Sequence, residues 1–536
     1  MPRYFLLVVS IALAGCAAHI RLSQPSVQGP VDDPTPRVAA NQKNVKCSYE
    51  PEWAYNRSGA TDGPPQLGVA LSGGGMRAAA YAVGALQGLS NLGYLEKTDV
   101  LSGVSGGAYA TGWYISQRAA ADVTDADLFD NAKPYQHHLE DHGKIVNGWR
   151  LTRALVADTA LFPVNLLVNG MFGWHANTTG HRYFYESALV NEFFTKPGEH
   201  RRLRYTFDEL RAASQEKKLP LFIINTTAYI DDDSHHYAAD TRNTVYEFTQ
   251  VRYGSDAYGY LSSDYPIDLP TAVSVSGAAA DSNALQAGAV QKTLLSGLNF
   301  DLGYFVDNRL KATMRVDQPC VTFKPESKAG FYHRKWSSRL IPFPVYAFLP
   351  YWAKDQRGVR TYLSDGGHSE NLGAFSLIRR LVKNIVIVDA SGDSHFEFSD
   401  YLQLKNAVLQ SLNANLEVKA IDEVLSKPEN ERRRRISQDP VMTGEVRYFP
   451  YPGESDERRI LKIVYVKLSY DKENDDKYKM AGFSNINAYA GSHMKFPFHG
   501  LLDQSYSTEQ YRAYRDLAFV TITNGKEILK ASMPMK

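Results

Sequence analysis

A serine held between glycines, Ser105, is the residue of this sequence best placed to act as a nucleophile. It stands at the centre of Gly103-Val104-Ser105-Gly106-Gly107, after an apolar stretch and before an Ala-rich one. Where Gly-x-Ser-x-Gly joins a strand to a helix, the turn is so tight that the flanking positions must be nearly free of side chains. The serine then lies at a helix N-terminus, where the dipole and free N–H groups favour a developing alkoxide. The pattern predicts covalent catalysis at Ser105.

A second glycine-rich turn, Gly73-Gly74-Gly75, follows the apolar segment just upstream. Three glycines after a strand let backbone amides converge on an anion, so Gly73, Gly74 and Gly75 are candidates for an oxyanion hole. A phosphate-binding P-loop would need Gly-Lys-Ser/Thr, which is missing here. Gly73-x-Gly75-x-x-Ala78 also fits the relaxed dinucleotide fingerprint. That fingerprint expects an acidic residue at the end of the next strand, which here ends on Ser105, so nucleotide binding is the minor alternative.

Asp365, in Ser364-Asp365-Gly366-Gly367, is the candidate base. A carboxylate is a weak base in water, but it becomes a better proton acceptor when a closed cleft removes its solvation. Taken alone, Asp-Gly-Gly is more typical of a plain surface turn, and only the other two motifs favour a catalytic role. A Ser-Asp-His triad is an alternative from the order of residues, since several histidines follow Ser105 late in the chain. These histidines are His368, His395, His493 and His499.

The elements that must position these residues alternate between strand and helix. Such alternation is the signature of a parallel α/β sheet, and the sequence predicts a three-layer α/β/α domain with a mainly parallel central sheet. Irregular insertions are expected near residues 121–215 and 284–360. The predicted strands are 67–71, 100–101, 219–230, 245–251, 385–388 and 461–470, and the predicted helices are 77–92, 108–120, 372–381, 400–426 and one opening at Ser507.

The N-terminal segment has the pattern of a lipoprotein signal peptide. Arg3 precedes the apolar run Tyr4–Leu13, which ends in Leu13-Ala14-Gly15-Cys16. That ending resembles the lipobox of bacterial lipoproteins, in which the cysteine thiol accepts the lipid. The expected organisation is therefore a signal peptide over residues 1–15, a lipidated Cys16 with a proline-containing tether over residues 16–48, and a catalytic domain over residues 49–536. Ala17 after the cysteine favours the outer membrane.

Composition narrows the remaining classes of function. A net charge of +1 over 536 residues provides no general attraction for nucleic acid, and no partner of that kind is expected. No Cys-x-x-Cys or His-rich spacing suggests a metal, so neither a metal nor an organic cofactor is implied. Cys47 and Cys320 are either free thiols or a disulfide pair. The apolar segments 161–174 and 340–352 are candidate lids or buried packing.

Three motifs in this order resemble the patatin-like phospholipase family, particularly its cytosolic phospholipase A2-like branch. They are Leu71-Ser72-Gly73-Gly74-Gly75-Met76-Arg77-Ala78, Gly103-Val104-Ser105-Gly106-Gly107 and Ser364-Asp365-Gly366-Gly367-His368-Ser369-Glu370-Asn371-Leu372. The small-residue run 274–280 is similar to the family segment that lines the active site.

The resemblance implies a Ser105–Asp365 dyad, a glycine-loop oxyanion hole and hydrolysis of lipid esters through an acyl-serine intermediate. For Arg77 it implies either contact with a phosphate head group or support of the glycine loop. The alternative without a function is an ordinary, solvated arginine in the first turn of a helix. The expected partners are membrane phospholipids or lysophospholipids, with the protein anchored through Cys16. Transacylation and non-catalytic lipid binding are the alternative functions.

Overall fold

The computed structural model describes residues 49–57, 63–120, 123–130, 135, 138–140, 180–197, 201–229, 243–255, 259–262, 265–279, 303–307, 360–449, 459–474, 476–500, 504 and 506–534. Several sequence predictions lie outside these residues. They concern the signal peptide, Cys16, the tether, Cys47, Cys320 and the apolar segments 161–174 and 340–352.

Helices occupy much of the described chain. They are α1 (Glu50–Trp53), α2 (Gly75–Asn91), α3 (Gly106–Ala119), α4 (Asp125–Phe129), α5 (Gly180–Phe193), α6 (Phe207–Lys217), α7 (Leu269–Ser276), α8 (Phe375–Ile378), α9 (Ser399–Leu412), α10 (Lys419–Leu425), α11 (Glu429–Gln438), α12 (Asp476–Met480), α13 (Ser484–Ser492), α14 (Thr508–Asn524) and α15 (Lys526–Ser532). Short 3₁₀ turns cover Leu95–Lys97 and Gly366–His368. None of the described helices combines the length and the apolar character needed to cross a membrane.

The strands are β1 (Leu67–Leu71), β2 (Val100–Val104), β3 (Thr195–Lys196), β4 (Arg201–Arg202), β5 (Leu221–Tyr229), β6 (Asn243–Phe248), β7 (Tyr253–Ser255), β8 (Gly259–Leu261), β9 (Tyr304–Asp307), β10 (Arg360–Asp365), β11 (Asn384–Asp389), β12 (Ala414–Glu417), β13 (Val441–Tyr448) and β14 (Ile460–Lys467). One sheet has the order β12-β13-β14-β11-β1-β2-β5-β6-β7-β8, with β10 joined to β5 and β9. Its central strands β14, β11, β1, β2 and β5 are parallel, and the outer strands are antiparallel.

The two faces of this sheet each support a layer of helices. Successive side chains of a strand point to opposite faces, and β11 shows this clearly. Val386 and Val388 join a core with α2, α3 and α14, whereas Ile385 and Ile387 join a second core with α8, α9 and α10. The predicted three-layer α/β/α arrangement with a mainly parallel centre is therefore confirmed.

Two predicted helices differ from the structure in their extent. The helix predicted over 372–381 is reduced to α8, bounded by Gly373 and Leu381, which both adopt positive φ. The helix predicted over 400–426 is divided into α9, β12 and α10. Asn413 ends α9 in the left-handed conformation, which asparagine tolerates better than most residues, and β12 then pairs with β13.

Candidate active site

Ser105 occupies the sharp turn between β2 and α3. Its backbone has φ 51° and ψ −118°, a left-handed conformation that is strained for a residue with a side chain. The turn also requires Gly106, because a Cβ at that position would overlap the carbonyl oxygen of Gly75. Ser105 lies at the N-terminus of α3 and is 4% exposed. The structure thus places the predicted nucleophile on the strand-turn-helix element that the motif implied.

Asp365 lies beside this serine although 260 residues separate them. The Ser105 hydroxyl donates to Oδ2 of Asp365 at 3.0 Å, and the amide of Gly367 donates to Oδ1 at 2.7 Å. Burial raises the pKa of the Asp365 carboxyl to about 7, although both hydrogen bonds act to lower that pKa. The carboxylate is therefore a far stronger base than an exposed aspartate would be.

Sheet register explains why the two side chains meet. Strand β2 runs parallel to β5 and its last registered pair is Val104 with Asn225. Strand β10 runs antiparallel to β5 and its last registered pair is Asp365 with Thr226. The two strands therefore approach each other along β5 and end at successive residues of it. The dyad forms where their ends meet.

The glycine loop passes directly beside the nucleophile. The amide of Gly73 donates to the carbonyl of Asn371 at 2.8 Å, so this donor is already engaged. Gly74 and Gly75 have φ values of 137° and 60°, which side-chain-bearing residues rarely adopt. Among the described residues, no acceptor contacts the amide of Gly74 or Gly75. Of the three amides predicted for an oxyanion hole, these two remain available.

Arg77 is buried beneath the glycine loop. Its Nε donates to the carbonyl of Ala390 at 2.9 Å, and Nη1 donates to the carbonyl of His499. These contacts connect the first turn of α2 to two later segments of the chain, which is the loop-supporting role considered for Arg77.

The four histidines of the alternative triad make contacts elsewhere. His368 Nδ1 is 3.1 Å from the Ser364 hydroxyl, and burial lowers the His368 pKa to about 4. His395, His493 and His499 contact Glu429, Tyr489 and Tyr514, respectively. Within the described residues, the side chain that accepts the Ser105 proton is Asp365.

Three further residues frame this site, and the sequence indicated a role for none of them, although Asn371 lies within the third motif. Asn225 donates through Nδ2 to the Ser102 hydroxyl at 2.9 Å, and Asn371 donates to Asp400 at 2.7 Å. Ser276 accepts the Ser105 amide at 2.8 Å. Ser276 belongs to the small-residue run noted in the sequence, but nothing in that run indicated which hydroxyl would reach the nucleophile. Within the described chain, no cluster of three or more His, Cys, Asp or Glu side chains could hold a metal.

Comparison with known proteins connects this geometry to a family. Residues 69–280 match the family model described as "Patatin-like phospholipase". Phospholipase B of Cryptococcus neoformans var. neoformans serotype D is 26% identical over 235 residues, which cover 41% of this chain and 35% of that protein. The chain thus aligns with about a third of the length of this curated relative.

Solved structures share the fold at low sequence identity. Human GIVD cytosolic phospholipase A2 matches 91% of this chain and 67% of its own, with a TM-score of 0.55 and 13% identity. The same human enzyme in complex with methyl gamma-linolenyl fluorophosphonate matches with a TM-score of 0.50 and 11% identity, covering 91% of this chain and 64% of that one. At such identity the likeness concerns the fold alone. Residues 69–280 thus correspond to a patatin-like phospholipase domain by the family match, and the solved structures add a likeness in fold.

Proposed function

We propose that this protein is a lipid acyl hydrolase of the phospholipase A or lysophospholipase type, with Ser105 as nucleophile and Asp365 as base. One observation carries the proposal: a buried hydroxyl and a buried carboxylate lie 3.0 Å apart at a strand-to-helix turn. The family match and the names of the relatives, phospholipase B and cytosolic phospholipase A2, support lipid esters as substrates.

Acylation begins when Ser105 Oγ attacks the ester carbonyl carbon. Asp365 Oδ2 takes the hydroxyl proton as the new C–O bond forms, and the carbonyl oxygen becomes an oxyanion. The amides of Gly74 and Gly75 stabilise this oxyanion, and loss of one such donor typically costs about 3 to 4 kcal/mol. Asp365 then returns the proton to the departing alcohol, which leaves an acyl-Ser105 ester.

Deacylation repeats these steps with water. Asp365, again ionised, accepts a proton from a water molecule that attacks the acyl-serine carbonyl. The same amides hold the second oxyanion. Its collapse releases the fatty acid, and the proton passes from Asp365 back to Ser105 Oγ. A transacylase would differ only here, because a lipid alcohol would replace the water.

Lipid mass spectrometry after incubation with mixed bacterial lipids tests this function. The wild-type protein is expected to release free fatty acid and lysophospholipid, and Ser105→Ala to release neither. Formation of a new acylated lipid without free fatty acid would establish transacylation instead. Identical lipid profiles for the two proteins would reject the hydrolase and leave non-catalytic lipid binding.

We also propose that Cys16 carries a lipid that holds the catalytic domain at the outer membrane. The lipobox-like ending Leu13-Ala14-Gly15-Cys16 supports this anchoring. Metabolic labelling with palmitate is expected to mark the wild-type protein but not Cys16→Ser, and the label should fractionate with outer membranes. Equal labelling of both proteins, or labelled protein in the soluble fraction, would contradict the anchor.

A further inference from the structure

The side chain of Ser276, at the C-terminal end of α7, stands between the nucleophile and the neighbouring strand. Its hydroxyl oxygen accepts the backbone amide of Ser105 at 2.8 Å and donates to the carbonyl of Asn225 at 2.6 Å. The side chain is fully buried, so water does not compete for either hydrogen bond. One hydroxyl therefore joins the turn of β2 to strand β5.

This bridge lies just beyond the point where β2 stops pairing with β5, so the sheet offers no hydrogen bond to Ser105. The registered pairing of β2 with β5 ends at Val104 and Asn225, one residue before Ser105. The positive φ of Ser105 then turns the chain away from β5 into α3. Because a buried amide without an acceptor costs about 1 to 3 kcal/mol, the Ser105 amide needs another partner at this point. The hydroxyl of Ser276 supplies it.

The other end of the bridge is close to the base. The Asn225 carbonyl packs against Gly366, where an added Cβ would overlap it, and Gly366 directly follows Asp365. The Asn225 side chain is fixed as well, since it donates to the Gly103 carbonyl at 3.0 Å and accepts from the Ser376 hydroxyl at 2.7 Å. Ser276 thus contacts an anchored residue that touches the segments carrying both members of the dyad.

We infer that Ser276 is a positioning residue for the proposed hydrolase, and that its hydroxyl sets the orientation of the Ser105 side chain toward Asp365. This inference rests on the proposed function. Without the bridge, the strained backbone of Ser105 is free to relax, and the separation of its Oγ from the Asp365 carboxylate changes. A misplacement of about 1 Å in a catalytic group can reduce the rate about 100-fold.

Substitution of Ser276→Ala, with Ser116→Ala as the matched control, tests this role. Ser116 lies near the C-terminal end of α3 and is equally buried, but its hydroxyl donates to the Trp113 carbonyl within that helix. Steady-state hydrolysis of p-nitrophenyl butyrate and the rate of fluorophosphonate labelling at Ser105 are measured for both variants, together with thermal unfolding. Ser276→Ala is expected to lower kcat and the labelling rate about 10- to 100-fold with KM changed less than about threefold, while Ser116→Ala retains both rates.

The outcomes separate this inference from the function on which it rests. Wild-type labelling at Ser105 together with unchanged rates in Ser276→Ala would overturn the inference and leave the proposed function intact. Equal losses in both serine variants, or a Ser276→Ala protein that does not fold, would make Ser276 a structural residue and overturn it too. A wild-type protein with neither turnover nor labelling would reject both.

Discussion

The Asp365 carboxyl group is buried in the protein, and its described hydrogen bonds come from the Ser105 hydroxyl and the Gly367 amide. The loss of hydration raises its pKa to about 7 and outweighs the opposing effect of both donors. A base is most effective when its pKa is near the working pH. Burial alone therefore gives this aspartate a basicity close to that of an ordinary histidine, as the proposed mechanism requires.

Activity should consequently depend on the ionisation of Asp365. Because only the carboxylate accepts a proton, kcat/KM is expected to rise with pH and to level off above an apparent pKa near 7. The measurement is a pH–rate profile from pH 5 to 9 on a neutral ester, with a lysophospholipid for comparison. A profile that is already flat at pH 5 would show that the acting base has the pKa of an ordinary exposed carboxylate.

The same pKa has an opposite consequence for stability. The folded protein retains the Asp365 proton between about pH 4, where a solvated carboxyl titrates, and about pH 7. The free energy of unfolding therefore falls as the pH rises through this range. Asp365→Asn keeps the shape without the charge, so at pH 8 it should be more stable than wild type by on the order of 1 to 4 kcal/mol.

Denaturant unfolding at pH 5 and pH 8 measures this difference. The advantage of Asp365→Asn should shrink at pH 5, where the wild-type carboxyl is protonated, while its kcat is about 10²- to 10⁴-fold below wild type. A variant that is less stable than wild type at pH 8 would contradict the account of a buried charge.

The sequence predicted Ser105 and Asp365 as a pair, and the structure places them in hydrogen-bond contact, but several contacts around them were not predicted. Ser105 and Asp365 lie within motifs whose glycines have local physical reasons to be there. The surrounding contacts depend instead on which strand ends face each other, as for Asn225, Ser276 and Asn371. The register between distant strands cannot be predicted from a single sequence. For the same reason, the engagement of the Gly73 amide by Asn371 was not predictable.

At the scale of elements, the turn that precedes α2 and the turn that precedes α3 are in direct backbone contact. Gly106 touches the Gly75 carbonyl so closely that an added Cβ would overlap it. The two candidate functional turns, one bearing the nucleophile and the other the free amides, are therefore fixed relative to each other. Their close approach is available only to glycine.

Gly106→Ala is expected to abolish most of the activity and to lower the free energy of unfolding by about 1 to 3 kcal/mol through overpacking. Gly491→Ala is the control, because Gly491 lies in α13 and, apart from neighbouring backbone of that helix, no atom of the described residues would be within 4 Å of its added Cβ. The control should match or slightly exceed wild-type stability, since alanine favours helix. The measurements are kcat and urea unfolding of both variants. An active Gly106→Ala would mean that the two turns can move apart without loss of activity.

Prediction of elements succeeded where an apolar run is bounded by a glycine-rich or polar loop. Strand β1 matched the structure at both ends, and β5 and β6 formed the expected hairpin. The single helix predicted over residues 400–426 was wrong. Its helical periodicity of apolar residues continues on both sides of β12, and β12 forms a strand because it pairs with β13. Tertiary pairing thus decided the structure of a segment whose local preference was helical.

At the scale of the whole molecule, a buried ionic cluster fastens α1 to the domain. Arg380 contacts Glu52 of α1 at 2.6 Å and Glu247 of β6 at 2.8 Å, and these side chains are at most 2% exposed. Both glutamates keep pKa values below the ordinary range because the nearby arginines offset the cost of burial. Each of these buried charges is therefore stable only while its oppositely charged partners are present.

Arg380→Met should therefore destabilise the protein by about 3 to 5 kcal/mol, because it leaves two carboxylates buried with fewer partners. Arg433→Met is the matched control, since Arg433 pairs with Glu429 on the surface, where side chains are 50% and 45% exposed. Such exposed pairs contribute about 0 to 1 kcal/mol. Equal unfolding free energies for the two variants would show that the buried cluster does not hold α1 in place.

The overall architecture was predictable from the alternation of elements, and the buried cluster was not. Three-layer packing follows from strands and helices that alternate along the chain and must each bury an apolar face. The cluster joins residues 52, 247 and 380, which lie in three distant segments with no shared motif. Such contacts depend on the tertiary structure and leave no local pattern in the sequence.

Covalent labelling by a fluorophosphonate, followed by mass analysis of the modified peptide, tests the Ser105–Asp365 dyad most directly. One adduct is expected, on Ser105 in the wild-type protein, with a labelling rate at least about 100-fold lower in Asp365→Asn and unchanged in His368→Ala. An adduct on another serine, or wild-type labelling rates in Asp365→Asn, would contradict the dyad.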